Sequence, residues 1–223
     1  MATELADGIW WFDLRGVNAY LLEDKTGATL IDAGGPWTRR ALVKELAAVD
    51  TDPRKATQIA LTHYDIDHVG GLGACRKDGT VYAGQPDADV LSGDRRPDWA
   101  NRKTAFQRAA ALVLSSPEQS IETVADGDRV GGLTVYETPG HTPGHLAFVS
   151  EERSVAFVGD LVREREGRLE ASPWALSHDT DAVESSIRRL AELELDVDIL
   201  AMGHGTPFVE RGAAHLADLA ARL

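Results

Sequence analysis

A chain of 223 residues can remove roughly 70% of its unfolded surface from water around one core, so one domain over 1–223 is expected. With 36 acidic against 23 basic residues, a formal net charge of -13, the surface repels phosphate backbones and argues against nucleic-acid binding. No apolar run approaches the roughly 20 residues of a bilayer helix, and "MATELADGIWW" has neither the basic start nor the apolar stretch of a signal peptide, so no membrane partner and a cytoplasmic location are expected.

Five lysines stand beside eighteen arginines, and such an acidic, lysine-poor surface suits either an ordinary acidic enzyme or a salt-rich cytoplasm. The single cysteine, Cys75, rules out an internal disulfide and reads as a small buried side chain.

In chain order, "GIWWFDL", "NAYLLED" and "ATLIDAG" are short β-rich runs separated by turn residues such as Gly16 and Gly27, which predicts a meander of strands. "WTRRALVKELAAVD" then sets Leu42, Leu46 and Val49 at helical spacing. "TQIALTH" is an apolar strand whose end delivers His63. A helical insert follows at about 86–119, with a turn at "SGDRRP" and a second helix placing Trp99, Phe106, Ala110 and Val113 on one face. It concentrates Arg95, Arg96, Arg102, Lys103 and Arg108. These suit a wall that offers a cation to an anionic substrate group, or a solvated face, or the contact of a homodimer.

The second half repeats the grammar. "LTVYETPGH", "LAFVS" and "SVAFVGD" predict strands, "DAVESSIRRLAEL" a helix, "VDILAMGHG" a strand ending in histidine, and "GAAHLADLAARL" a closing helix. Three separate strands therefore run into His141, Asp160 and His204. Strand ends over a rigid sheet hold ligands in place and leave them open to solvent.

Within "THYDIDHVGG" lie His63, Asp65, Asp67 and His68, and a tight loop can turn several of these side chains inward together. Imidazole and carboxylate are ligands for zinc, manganese and iron, and no cysteine occupies a candidate position, which excludes a structural zinc-thiolate site. Two cations about 3.5 to 4 Å apart would hold a hydroxide between them and give a nucleophile at neutral pH. No nucleophile elbow or Walker loop offers a rival mechanism.

"GVNAYLLED", "LIDAGG", "THYDIDHVGG", "ETPGHTPGHL", "FVGD" and "MGHG", in this order over nearly the whole chain, resemble the metallo-β-lactamase superfamily, which includes glyoxalase II and the lactonases. The resemblance implies an α/β fold, a four-layer αββα sandwich, and two divalent metal ions, with zinc first and manganese or iron as alternatives. It implies that site one takes His63, Asp65 and His141, that site two takes Asp67, His68 and His204, and that Asp160 bridges them. Asp67 would also pass a proton to the leaving group.

The departure is Asp65, where the family pattern has histidine. Three carboxylates against two dications leave a formal charge of +1, which one hydroxide cancels; the extra carboxylate makes the first metal a weaker Lewis acid and favours harder ions. The alternative for Asp65 is a side chain too short to reach, leaving a mononuclear site.

The expected function is a metal-dependent hydrolase that turns a metal-bound hydroxide on a small ester, thioester or lactone. The alternatives are an iron-dependent redox enzyme of the same fold, as the flavodiiron proteins with a carboxylate at this position suggest, and a β-lactam hydrolase. Tyr64, inside the ligand loop, and Trp174, in the loop after Asp160, are the candidate substrate contacts. Asp32 is expected to support the ligand loop, His145 to begin the next strand, His178 to lie beside a helix N-cap at Asp179 or Thr180, and His215 to be exposed.

Overall fold

The computed structural model describes residues 2–24, 27–49, 56–96 and 117–223. A seven-stranded sheet keeps chain order: β1 (Ala2–Ala6), β2 (Ile9–Asp13), β3 (Asn18–Asp24), β4 (Gly27–Ile31), β5 (Ala56–Ala60), β6 (Thr80–Ala83) and β7 (Ser120–Thr123). Its first four strands form the antiparallel meander, and β4 to β7 run parallel. The second sheet has the order β14-β11-β10-β9-β8. It comprises β8 (Arg129–Val130), β9 (Leu133–Glu137), β10 (Leu146–Ser150), β11 (Val155–Gly159) and β14 (Ile199–Met202), with only β11 and β14 parallel. A separate hairpin joins β12 (Val162–Arg165) to β13 (Arg168–Ala171).

The helices are α1 (Arg39–Ala48), α2 (Ile66–Val69), α3 (Asp87–Ser92), α4 (Thr180–Glu192) and α5 (Gly212–Ala220). Helix α4 starts where Asp179 accepts from Ala182 N at 3.0 Å, which satisfies one of the free amides of the first turn. The first helix expected in the 86–119 insert is α3; the second, over 97–116, lies outside the described residues.

Strand alternation explains why the strands read as unbroken apolar runs. On β3, Ala19 and Leu21 join the core shared with α1 residues Leu42 and Leu46, while Tyr20 and Leu22 turn into the layer between the sheets. On β11, Val155 and Phe157 enter that same middle layer, and Ala156 and Val158 pack with Val183, Ile187 and Leu216 of α4 and α5. Central strands such as β10 and β11 are covered on both faces, so nearly all their side chains are apolar. Three apolar layers between four structural ones make the αββα sandwich.

Cys75 is buried, and burial pushes its thiol up to about 12, in keeping with an inert apolar role. His215 departs from expectation: it is half-buried and its ring stacks on Phe208 at 4.1 Å. Among the described residues no helix is long and apolar enough to cross a membrane.

Phe148 is fully buried in the layer between the sheets. Truncation to alanine should cost about 3–5 kcal/mol and lower the melting temperature by about 10 °C in thermal unfolding. A melting point that does not move would show that this layer does not hold the two sheets together.

Candidate metal centre

The ligand loop changes conformation halfway along, and that change sorts its side chains. From His63 to Asp65 the chain is extended, with Asp65 at φ -132° and ψ 153°, so residues 63 and 65 face one way and Tyr64 the other. Helix α2 begins immediately after, and its single turn presents Asp67 and His68 side by side. Alternation thus governs the first half of this loop, and the helical turn its second half. Tyr64 accordingly lies 5% exposed in the helix-side core with Leu61, Val69 and Leu72, where it also lines a cavity of about 410 Å³ with Arg95 and Arg96.

All seven candidate ligands meet at one place. Asp65 Oδ2 lies 3.0 Å from His141 Nε2 and 3.4 Å from His63 Nε2, so its side chain is long enough to reach. His204 Nε2 lies 3.4 Å from Asp67 Oδ2 and 3.2 Å from Asp160 Oδ2. Asp160 also approaches His141 Nε2 at 3.4 Å and His68 Nε2 at 3.5 Å. The donors fall into three overlapping groups, His63 with Asp65 and His141, His63 with His68 and Asp160, and Asp67 with His68 and His204, each within 4.8 Å.

The imidazoles are aimed by what holds their far nitrogens. His68 Nδ1 donates to Asp32 Oδ2 at 2.9 Å, and His204 Nδ1 donates to the Gly16 carbonyl at 2.6 Å. Thr62 Oγ1 spends its proton on Asp32 Oδ2 at 2.7 Å, so the 2.9 Å contact with His63 Nδ1 assigns the donor role to the ring. Each of these three rings therefore turns an unprotonated Nε2 into the cluster when neutral. His141 Nδ1 sits 2.7 Å from Ser172 Oγ.

His145 does more than begin a strand. Its Nε2 accepts from the backbone N–H of Asp160 at 3.2 Å, while its Nδ1 sits 2.8 Å from Thr138 Oγ1, so it holds the backbone of the central carboxylate. His178 precedes the Asp179 cap and donates its backbone N–H to the His141 carbonyl at 3.1 Å.

Two observations show that this donor set fits cations. His63 Nε2, His68 Nε2 and Asp160 Oδ1 are buried side-chain atoms that make no hydrogen bond. Such atoms are costly unless another partner takes them. The second is Gly203, where a Cβ would stand 2.0 Å from Asp160 Oδ1 and 2.8 Å from His68 Cε1. Only glycine lets the end of β14 pass this close to the cluster.

The protonation states carry the same message. Burial opposes charge on His68, yet Asp160 and Asp32 push it up to about 9. Burial likewise opposes charge on His204, but Asp160, with hydrogen bonds from Asp160 and Asp67, takes it up to about 11. His63 goes down, through burial and the charge of His68. Burial pulls Asp160 upward, but the charges of His68 and His204 hold it well below the usual carboxylate range. Without a cation, protons on His68 and His204 offset part of the carboxylate charge.

A cavity of about 340 Å³ opens beside the cluster, lined by His141, Asp160 and His204 on one side. Arg163, Arg165, Pro173 and Leu176 are among its other walls. Trp174 itself is 64% exposed, and its neighbours Pro173 and Leu176 line the cavity in its place. Sequence reasoning missed Arg163 and Arg165 because "VREREGR" reads as a solvated charged turn, and it missed Asn18, whose Nδ2 donates to the carbonyls of Met202 and Gly205 on either side of His204.

Residues 12–204 match the family model described as the metallo-beta-lactamase superfamily. The hydroxyacylglutathione hydrolase GloC of Haemophilus influenzae is 29% identical over 82% of this chain and 82% of its own. The metallo-beta-lactamase family protein TTHA1429 of Thermus thermophilus is 25% identical, with a TM-score of 0.72 over 98% of this chain and 80% of its own. TTHA1623 in a di-iron-bound form is 28% identical, with a TM-score of 0.67 over 93% of this chain and 95% of its own. With the match spanning both halves of the sandwich and every ligand position, the chain belongs to the metallo-beta-lactamase superfamily.

Proposed function

We propose that the protein is a binuclear metal-dependent hydrolase of a small ester, thioester or lactone that carries an anionic group. The observation that carries this reading is the meeting of four imidazoles and three carboxylates in one cluster, three of which, His141, Asp160 and His204, line an adjoining cavity. His63, Asp65 and His141 would hold one cation, Asp67, His68 and His204 the other, with Asp160 between them. Such a pair, when bound, acidifies a water to give a nucleophile at neutral pH and polarises the substrate carbonyl.

The chain's own residues do the rest. Asp67 is half-buried; burial raises its pKa, but its hydrogen bond with His204 and the charge of His68 outweigh that and hold it below the usual value. An ionised Asp67 can accept the proton of the attacking water and pass it to the leaving group. Pro173 and Leu176 offer an apolar wall for the acyl portion.

The anionic group is argued from the β12–β13 hairpin. Arg163 is neutralised by Glu170 at 2.9 Å, whereas Arg165 stands directly across the ladder from Arg168 and has no salt bridge among the described residues. Like charges directly opposite each other destabilise a hairpin, and an anion in the adjoining cavity relieves that repulsion. The similarity to a protein named hydroxyacylglutathione hydrolase supports an acyl substrate.

A second reading concerns the metal. Asp65 adds a hard oxygen donor to site one, and the similarity to TTHA1623 in its di-iron-bound form supports iron beside zinc. Reconstitution with zinc, manganese and iron(II), followed by ester, thioester and lactone assays alongside oxygen uptake, tests both readings. Hydrolysis without oxygen consumption is expected; oxygen uptake without hydrolysis would replace the first reading by a redox one.

Because His68 and His204 hold protons to about 9 and about 11 without a cation, metal binding at pH 7 should release both. Titration calorimetry in buffers of different ionisation enthalpy should report this release, with metal affinity rising from pH 6 to 9. The sign follows from the raised values. Stability that these charges give the metal-stripped protein is complete below pH 6.5 and is lost as pH rises through 9 and 11.

Asp65→His should shift the bound metal towards zinc in protein purified without chelator, and an unchanged metal content in both proteins would refute the hard-donor argument. Arg165→Gln should raise KM for a carboxylate-bearing ester by roughly tenfold and leave a neutral ester unaffected, in line with the loss of one charge-assisted contact. Equal effects on both substrates would remove the anionic group from the proposal.

A further inference from the structure

Asp87, the first residue of α3, is 4% exposed and belongs to no element of the metal cluster. Its carboxylate nevertheless collects donors from both loops that build site one. Oδ2 accepts from Tyr64 N at 2.8 Å, between His63 and Asp65, and from Thr142 Oγ1 at 2.5 Å, next to His141. Oδ1 accepts from Gly144 N at 3.0 Å, where a Cβ on Gly144 would stand 2.7 Å from the Asp87 backbone nitrogen.

The supports of the two sites are thereby divided. Asp32 and the Gly16 carbonyl hold His68 and His204 of site two, and Asp32 reaches only His63 of site one, through Thr62. The spacing between the His63–Asp65 segment and His141 has Asp87 as its clamp.

We infer that Asp87 is a positioning residue for one metal of the pair, joining the two halves of site one so that Asp65 and His141 meet a common cation. The inference rests on the binuclear reading above. An ionised carboxylate accepts all three donors at once, whereas the amide of asparagine must turn an N–H towards one of them.

The test is cobalt titration of the metal-stripped full chain, followed by visible absorption and by dialysis with metal analysis. Wild-type protein should take up two equivalents. Asp87→Asn should keep one equivalent at wild-type affinity and bind the other on the order of 10- to 100-fold more weakly, with part of the cobalt spectrum lost. Thr142→Val removes one of the two bonds that tie Asp87 to the His141 loop and should weaken the second equivalent in the same direction, and Thr142→Ser should restore it.

Equal weakening of both equivalents, or two equivalents at unchanged affinity in Asp87→Asn and Thr142→Val, overturns the inference. If Asp87→Asn does not fold, the two Thr142 variants decide alone. A wild-type protein that binds a single equivalent overturns the binuclear reading itself, which separates that failure from this one.

Discussion

Asp32 ends β4 in the left-handed region, at φ 58°, and from there its one carboxylate accepts from Thr62 N, Thr62 Oγ1 and His68 Nδ1. Aspartate tolerates this backbone better than most residues, at a cost of order 1–3 kcal/mol. The cost is offset because the three bonds fix the exit of β5 and the far nitrogen of an α2 imidazole in a single act. Everything in the ligand loop is referred to this point: His63 through Thr62, His68 directly, and Asp67 through the helical turn it shares with His68. The parallel pairing of β4 and β5, with Ile31 beside Ala60, is what brings the two strand ends close enough for one side chain to serve both.

The charge arithmetic of the cluster follows from that rigidity. Asp65, Asp67 and Asp160 cannot move apart to relieve their repulsion, because each is anchored on a strand end or a helical turn. Protons on His68 and His204 are one way to balance them and cations are another, and the two compete for the same Nε2 atoms. Metal affinity, stability and pH are therefore one linked property of this fold. Burying such a set of carboxylates without any counter-charge would be strongly unfavourable, which ties the sandwich to its ligands energetically as well as geometrically.

Much of this was legible in the chain. Unbroken apolar runs such as "LAFVS" and "SVAFVGD" reflect strands covered on both faces, and the ligands sit in the turns where those runs stop. The burial of Tyr64 carried no such signal, since it follows from an extended Asp65 at the point where the loop passes into the helical turn of α2. His145 looked like a strand start because nothing in "GHTPGH" reveals that its ring meets the backbone of a residue fifteen positions later. Asp87 and Asn18 carried no local signal either, since their partners are 23 to 57 and 184 to 187 residues away. Local pattern points to the side chains that cluster; it does not name the long-range hydrogen bonds that aim them.

Asp65 shows how these supports set chemistry. A carboxylate at this position is shorter than an imidazole, and the extended backbone of Asp65, with Tyr64 N held by Asp87, carries its Oδ2 to 3.0 Å from His141 Nε2. The substitution of acid for imidazole is thus not a local change of one donor. It requires the clamp between the ligand loop and the His141 loop to be tight, because a carboxylate has less length with which to absorb an error in position. In return it adds a negative charge to site one, which lowers the acidity of a water held there and selects harder cations. On the proposed binuclear reading, metal identity would be decided jointly by the donor at 65 and by the buried hydrogen bonds that set its position.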